Sequence, residues 1–226
     1  MQPYLEGSVI LIDKPLHWTS FNAVKKIRYL TGVNKVGHAG TLDPLATGLL
    51  IICTGGFTKK ISAYMGMEKE YTGTFTLGST TSSFDLETSP ENFKDTSSIT
   101  LSELEDTAKH FTGLQLQVPP MFSAIKKDGK PIYLLARKGM ETERKAREIF
   151  IKEFSIMAFE GQKVSFKVVC STGTYIRSLA NDFGTALGCG AHLSSLRRTR
   201  IGHFEVSDAE DIEAFTEKIK TVQNSR

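Results

Sequence analysis

Three glycines, a histidine, a proline and one carboxylate fall within fourteen residues, Gly37-His38-Ala39-Gly40-Thr41-Leu42-Asp43-Pro44-Leu45-Ala46-Thr47-Gly48-Leu49-Leu50. This stretch leaves the chain the least choice. Glycine reaches backbone angles closed to other residues and lets a ligand approach the main chain. Pro44 has no N–H to donate and biases Asp43 toward an extended conformation. The segment therefore reads as a structured loop that presents His38 and Asp43 ahead of a buried strand, Leu49 to Cys53. A lone Asp in a glycine-rich turn is more often solvated than catalytic, so its companions have to decide its role.

The chain has 226 residues, 40% hydrophobic and 23% charged, a composition that can build a packed core. It has no apolar run of about 18 residues, so no membrane-spanning helix is expected. The start, Met1 to Glu6, lacks the basic and apolar regions of a signal peptide, which points to the cytoplasm. The three cysteines (Cys53, Cys170, Cys189) are far apart, with no CxxC or HxxxH spacing, and no metal site is expected. Net charge is only +3, but residues 111–180 hold twelve Lys/Arg against six Asp/Glu, while residues 71–110 hold two against seven. A basic middle between acidic flanks is the pattern of a face that meets a polyanion.

Along the chain, Val9 to Ile12 reads as a buried strand stopped by Asp13-Lys14-Pro15. Thr19-Ser20 caps a helix that ends at Gly32. Phe57 to Met65 reads as a short helix carrying Lys59. Glu70 to Leu77 alternates, with Tyr71, Gly73, Phe75 and Leu77 on one face of a half-buried strand. Gly78 to Pro90 is a long polar loop, and Thr100 with Glu103 forms a capping box for a helix running to about Phe111. Gln117 to Phe122 is extended, with exposed apolar side chains expected. Ser123 to Arg147 is rich in Lys and Arg. Two strands around Glu160-Gly161-Gln162 form a hairpin, a helix from about Tyr175 closes at Gly188, and an acidic helix is expected over about Asp208 to Val222. One α+β domain, residues 1–226, is the simplest reading.

Read from the residues alone, Asp43 is a base oriented with His38, or a nucleophile that needs a cation nearby. No GxSxG elbow completes an acyl-transfer triad. Arg177, in the first turn of an amphipathic helix next to Tyr175, is a candidate cation.

The combination resembles the TruB family of tRNA pseudouridine synthases. Lys14-Pro15 with Thr19-Ser20 looks like the family's first motif, and Gly37 to Leu49 is similar to its signature. Lys69-Glu70-Tyr71, Val118 to Ala124, Tyr133 to Gly139, Cys170 to Arg177 and Gly188 to Leu193 resemble the later ones, in the same order. The resemblance implies a pseudouridine-synthase fold, a mixed and largely antiparallel sheet flanked by helices and loops. It implies isomerisation of uridine 55 in the T loop of tRNA, with no cofactor, no membrane and a monomeric enzyme. Asp43 matches the catalytic carboxylate, and whether it attacks the sugar, attacks the base or takes a proton stays open. Arg177 matches the arginine that pairs with it, and Tyr71 the residue that stacks on the target base. His38 matches the histidine that takes the vacated place in the RNA, with orientation of the Asp loop as the alternative. Tyr175 and Leu196 match positions lining the uracil pocket. Lys59 matches a lysine near the site, as a phosphate contact or a structural ion pair. Residues 119–147 match an insertion that closes over the RNA stem-loop. The residues after Phe204 are too few for the PUA domain of many members, so a short form is expected.

Overall fold

The computed structural model describes residues 2–123, 125–127 and 129–224, with the main chain alone at Lys126, Lys127 and Lys130. Strands in chain order are β1 (Val9–Lys14), β2 (Val36–Ala39), β3 (Ala46–Thr54), β4 (Lys69–Leu77), β5 (Gly113–Gln117), β6 (Lys126–Lys127), β7 (Lys130–Pro131), β8 (Arg147–Glu160), β9 (Lys163–Cys170), β10 (Ala191–Ile201) and β11 (Phe204–Glu205). Helices are α1 (Gln2–Glu6), α2 (Ser20–Thr31), α3 (Ile61–Gly66), α4 (Leu101–His110), α5 (Tyr133–Ala136), α6 (Ile176–Ala186) and α7 (Ile212–Asn224), with short 3-10 turns at Gly55–Lys60 and Val206–Asp208. The chain divides into two units, Met1–Thr72 with Leu196–Arg226, and Gly73–Ser195.

In the first unit β3 is central. It pairs antiparallel with β1 and β2 and parallel with β10, whose Leu196, Arg197 and Arg198 stand opposite Ala46, Thr47 and Gly48. The run from Leu49 to Cys53 is apolar at every position because both of its faces are covered. Leu50 and Ile52 pack with Ile10, Ile12, Ile27 of α2 and Phe215 and Ile219 of α7. Leu49, Ile51 and Cys53 pack on the opposite face with Ala39 and Ile201. A strand buried on both sides loses its alternation. Helix α2 has the expected ends: Thr19 accepts the Asn22 N–H at 3.0 Å, and Gly32 closes it with φ 69°.

Several boundaries differ from the sequence reading: the Leu49–Cys53 strand extends to Ala46–Thr54, and the Phe57–Met65 segment is a 3-10 turn followed by α3. β1 runs through Asp13 and Lys14, which pair with Leu49 and Gly48. His38 lies in a strand, opposite Ile52, so the loop proper begins at Gly40. The last helix starts at Ile212, because the Glu210 main chain bonds to Leu11 and Asp13 of β1, and Asp211 then accepts the Ala214 N–H at 2.7 Å as a cap.

In the second unit the strand order is β4, β9, β8, β5, with β5 an antiparallel edge strand. Its core is aromatic: Phe75 lies 4.1 Å from Phe166 and 5.6 Å from Phe183 between ring centroids, and Phe154 packs against all three. Helix α4 carries the full capping box of Thr100 and Glu103. Between Gln117 and Phe122 the apolar exposure expected from sequence holds for Val118, whereas Pro119 and Pro120 are buried.

Candidate active site

Asp43 sits half-buried in the loop between β2 and β3, and the main chain around it is bonded almost residue by residue. Arg198 donates from Nη2 to the Gly40 carbonyl at 3.0 Å and from Nε to the Leu49 carbonyl at 2.8 Å. The Ser20 hydroxyl donates to the Leu42 carbonyl at 3.1 Å and accepts the Leu42 N–H at 2.8 Å. The Asp43 carbonyl accepts the Ala46 N–H at 3.1 Å, and the Pro44 carbonyl accepts the His17 N–H at 2.8 Å. Two glycines are favoured for different reasons. A Cβ on Gly48, at φ 102°, would stand 2.3 Å from the Arg198 carbonyl oxygen, whereas Gly40 has room for one but holds φ 84°, a backbone conformation other residues rarely adopt. The loop is therefore fixed before any substrate arrives, which a catalytic group needs.

The charges around this loop are buried cations. Arg198 and Lys14 are 1% and 0% exposed. Lys14 donates to the carbonyls of Pro15 at 3.0 Å and Trp18 at 2.6 Å. Burial pulls its pKa down to about 8, with the charge of Asp43 opposing and that of Arg198 adding to the fall. Lys69 donates to the Met65 and Met67 carbonyls at 2.6 and 2.7 Å, closing the end of α3. His38 has a lowered pKa, first through burial and then through Arg198, with the Gly40 main chain acting the other way. Its imidazole is neutral near pH 7, and its buried Nδ1 has no hydrogen-bond partner among the described residues.

Of the other expected residues, Leu196 stands on β10 opposite Ala46, three residues beyond Asp43. Tyr71 is buried on β4, two residues after Lys69. Lys59 is exposed on the Gly55–Lys60 turn, where its neighbour Lys60 lies 3.9 Å over the Phe57 ring.

Tyr175 and Arg177 belong to the second unit. Arg177 is 4% exposed and lies 3.6 Å from Asp85, with its terminal nitrogens on the carbonyls of Ser83 at 3.3 Å and Phe122 at 2.9 Å. Gln117 bonds to both main-chain groups of Tyr175. The basic insertion is folded over the same unit as a short β6–β7 hairpin and α5, and Arg137 reaches Glu87 at 2.7 Å. An open groove of about 600 Å³ lies between them, lined by Met121, Phe122, Arg137 and Met140. Ala124 and Asp128 of the insertion lie outside the described residues.

Sequence reasoning missed Arg198, Ser20 as a loop clamp, Asp85 and Gln117. Arg198 had a legible signal, since it stands two residues after Leu196 on a strand and so on the same face. The others act through contacts between residues distant in sequence and left none. Among the described residues, no group of three or more His, Cys, Asp or Glu side chains could hold a metal ion, and no helix is long and apolar enough to cross a membrane.

Comparison with known proteins gives a consistent result. Residues 28–176 match the family model described as TruB family pseudouridylate synthase (N terminal domain), and residues 177–225 match the tRNA pseudouridylate synthase B C-terminal domain. The chain is 53% identical over 227 residues to tRNA pseudouridine synthase B of Flavobacterium johnsoniae, covering 97% of this chain and 99% of that protein. It is 49% identical over 220 residues to the protein of the same name from Phocaeicola vulgatus, covering 95% and 94%. Among solved structures, a chain in the crystal structure of a Cbf5-Nop10-Gar1 complex superposes with a TM-score of 0.78 at 29% identity, covering 98% of this chain. This chain spans 57% of that larger one. The pseudouridine-synthase fold, with its mixed and mostly antiparallel sheet flanked by helices, is present.

Proposed function

The chain belongs to the TruB family of pseudouridylate synthases, and on that premise we propose that it converts uridine to pseudouridine in tRNA, at position 55 of the T loop. Asp43 is the catalytic carboxylate of this reading. The observation that carries it is the clamped loop: Arg198, Ser20 and His17 hold Gly40, Leu42 and Pro44 while the Asp43 side chain stays half-exposed beside buried Lys14. Preorganised charge of this kind acts without reorganisation during the reaction. Breaking the N1–C1′ bond, turning the base and joining C5 to C1′ is an isomerisation. It consumes no oxidant and no nucleotide.

The remaining residues have roles that fit their surroundings. By the resemblance, Tyr71 stacks on the uracil, a contact worth about 1–3 kcal/mol, and Tyr175 and Leu196 match positions that line its pocket. A uridine in a folded loop has to leave its stack to reach Asp43. By the resemblance, His38 serves the RNA at the position the base leaves, and its buried Nδ1 fits the alternative role of holding the Asp43 loop. Arg177 serves substrate binding from the start of α6, and the exposed Lys59 meets a phosphate, with a structural ion pair as its other reading. The insertion at residues 119–147 grips the T-arm stem through its Lys and Arg, a salt-sensitive contact that reads shape. The enzyme acts as a single catalytic domain and as a monomer in the cytoplasm.

The test is an unmodified T-arm hairpin incubated with the full chain and mapped for pseudouridine. One pseudouridine at the T-loop position is expected. No pseudouridine, or pseudouridine only at other positions, contradicts the reading.

A further inference from the structure

Helix α6 begins without a local cap. Its N-cap residue, Tyr175, contributes no side-chain hydrogen bond to the first turn. The bonding comes instead from Gln117, at the end of β5 and 58 residues earlier in the chain. Its Oε1 accepts the Tyr175 N–H at 2.8 Å, and its Nε2 donates to the Tyr175 carbonyl at 3.0 Å. Gln117 is 4% exposed, so water does not compete for either amide atom. The complementary pair also fixes which way the amide points, because a flip would set donor against donor.

Two more bonds join the same segments. Ser178 donates to the Val118 carbonyl at 2.8 Å, and Arg177 donates to the Phe122 carbonyl at 2.9 Å. Residues 117–122 are therefore stitched to the first turn of α6 at three points. Those residues are also the root from which the basic insertion leaves the sheet. The two segments move together or the bonds break.

We infer that Gln117 is a positioning residue: it sets the orientation of Tyr175 at the start of α6 and ties that orientation to the root of the RNA-gripping insertion. The inference rests on the proposed roles of Tyr175, Arg177 and the insertion. It adds a residue that touches no substrate and acts only through the Tyr175 main chain.

The experiment measures single-turnover pseudouridine formation and equilibrium binding on one unmodified T-arm hairpin, with the full chain as wild type, Gln117→Met and Gln117→Glu. Gln117→Met keeps the length and loses both bonds. Its rate is expected to fall roughly 10–100-fold, the scale of a misplaced binding group, while hairpin Kd stays within about twofold, a split expected when ground-state binding is untouched. Gln117→Glu carries the same pair of bonds only when protonated. Burial raises a carboxyl pKa, so its rate relative to wild type is expected to recover toward about pH 6 and fall toward about pH 8, whereas the Met variant stays low throughout. If Gln117→Met melts below the assay temperature, the pH profile of Gln117→Glu decides alone. A Met variant as fast as wild type, or a Glu variant with the wild-type pH profile, overturns the inference. A wild-type protein that binds the hairpin and leaves every uridine unchanged overturns the proposed function and this inference with it.

Discussion

The Asp43 loop and the basic insertion are both irregular, and they are held in opposite ways. Around Asp43, the main chain of Gly40, Leu42 and Leu49 bonds to the buried side chains of Arg198 and Ser20, with Arg198 and Lys14 almost wholly out of water. Beyond its root at residues 117–122, the insertion meets the rest of its unit through Arg137 on Glu87, where the arginine side chain is 60% exposed, and Arg144 bonds back to the Pro119 carbonyl. The first arrangement excludes alternatives before a substrate binds, as chemistry on a single bond requires. The second leaves charged side chains free to exchange a carboxylate for a phosphate, at a stability difference of less than about 1 kcal/mol for an exposed pair. Under the proposed function, the Asp43 loop is rigid where a bond would be broken and the insertion adaptable where a polyanion would be gripped.

That contrast can be broken by substitution. Arg198→Met leaves the Gly40 and Leu49 carbonyls buried without their charged donor. A loss of about 3–5 kcal/mol in urea unfolding is expected, and a loss below about 1 kcal/mol would mean the clamp is not needed.

Lys14 tests the same loop through pH. Its folded pKa of about 8 lies below the unfolded value of 10.5, so the unfolded chain binds more protons between those values. Stability from this group is therefore lowest below about pH 8 and rises up to about pH 10.5, by a total of order 3 kcal/mol. Unfolding free energies of wild type minus Lys14→Met, followed across that window, should show the rise, and a flat difference would contradict the burial of a charged lysine. Ser20→Ala removes both bonds to Leu42 at once. It should cost about 1–3 kcal/mol, read in the same denaturation assay, with a slower single-turnover rate.

The insertion should behave otherwise. Arg137→Gln is expected to change stability by less than about 1 kcal/mol. Its effect belongs in hairpin binding, where affinity falls a few-fold and the slope of log K against log salt drops by about 1. A large stability loss with an unchanged salt slope would make Arg137 a fold residue and remove the contrast.

What was legible in the sequence follows the same division. Strands with a regular period, such as β4 and the β8–β9 hairpin, and helices with local caps, Thr19 for α2 and Thr100 with Glu103 for α4, could be read directly, because the interactions that define them lie within a few residues. His38 and Asp43 were singled out by the glycine-rich stretch and Leu196 by motif resemblance, and all three lie in the unit built around β3. The clamps were not legible. Ser20 looked like part of a helix cap and works on Leu42, 22 residues away. Asp85 looked like one more polar residue in a long loop and stands against Arg177. Gln117 opened an extended segment and supports a helix 58 residues on. Long-range hydrogen bonds to main-chain atoms carry no residue-type pattern, because any carbonyl or N–H will serve.

The most direct test of the central claim is Asp43→Asn on the unmodified T-arm hairpin, with binding and single-turnover rate measured on the same sample. The substitution is isosteric and leaves the bonds of Gly40, Leu42 and Pro44 to Arg198, Ser20 and His17 in place, so the fold and hairpin Kd should stay close to wild type. The rate of pseudouridine formation is expected to fall roughly 10⁴-fold or more, as when a group acting on the reacting atoms is removed. Pseudouridine formed at the wild-type rate would show that the clamped carboxylate is not what breaks the glycosidic bond.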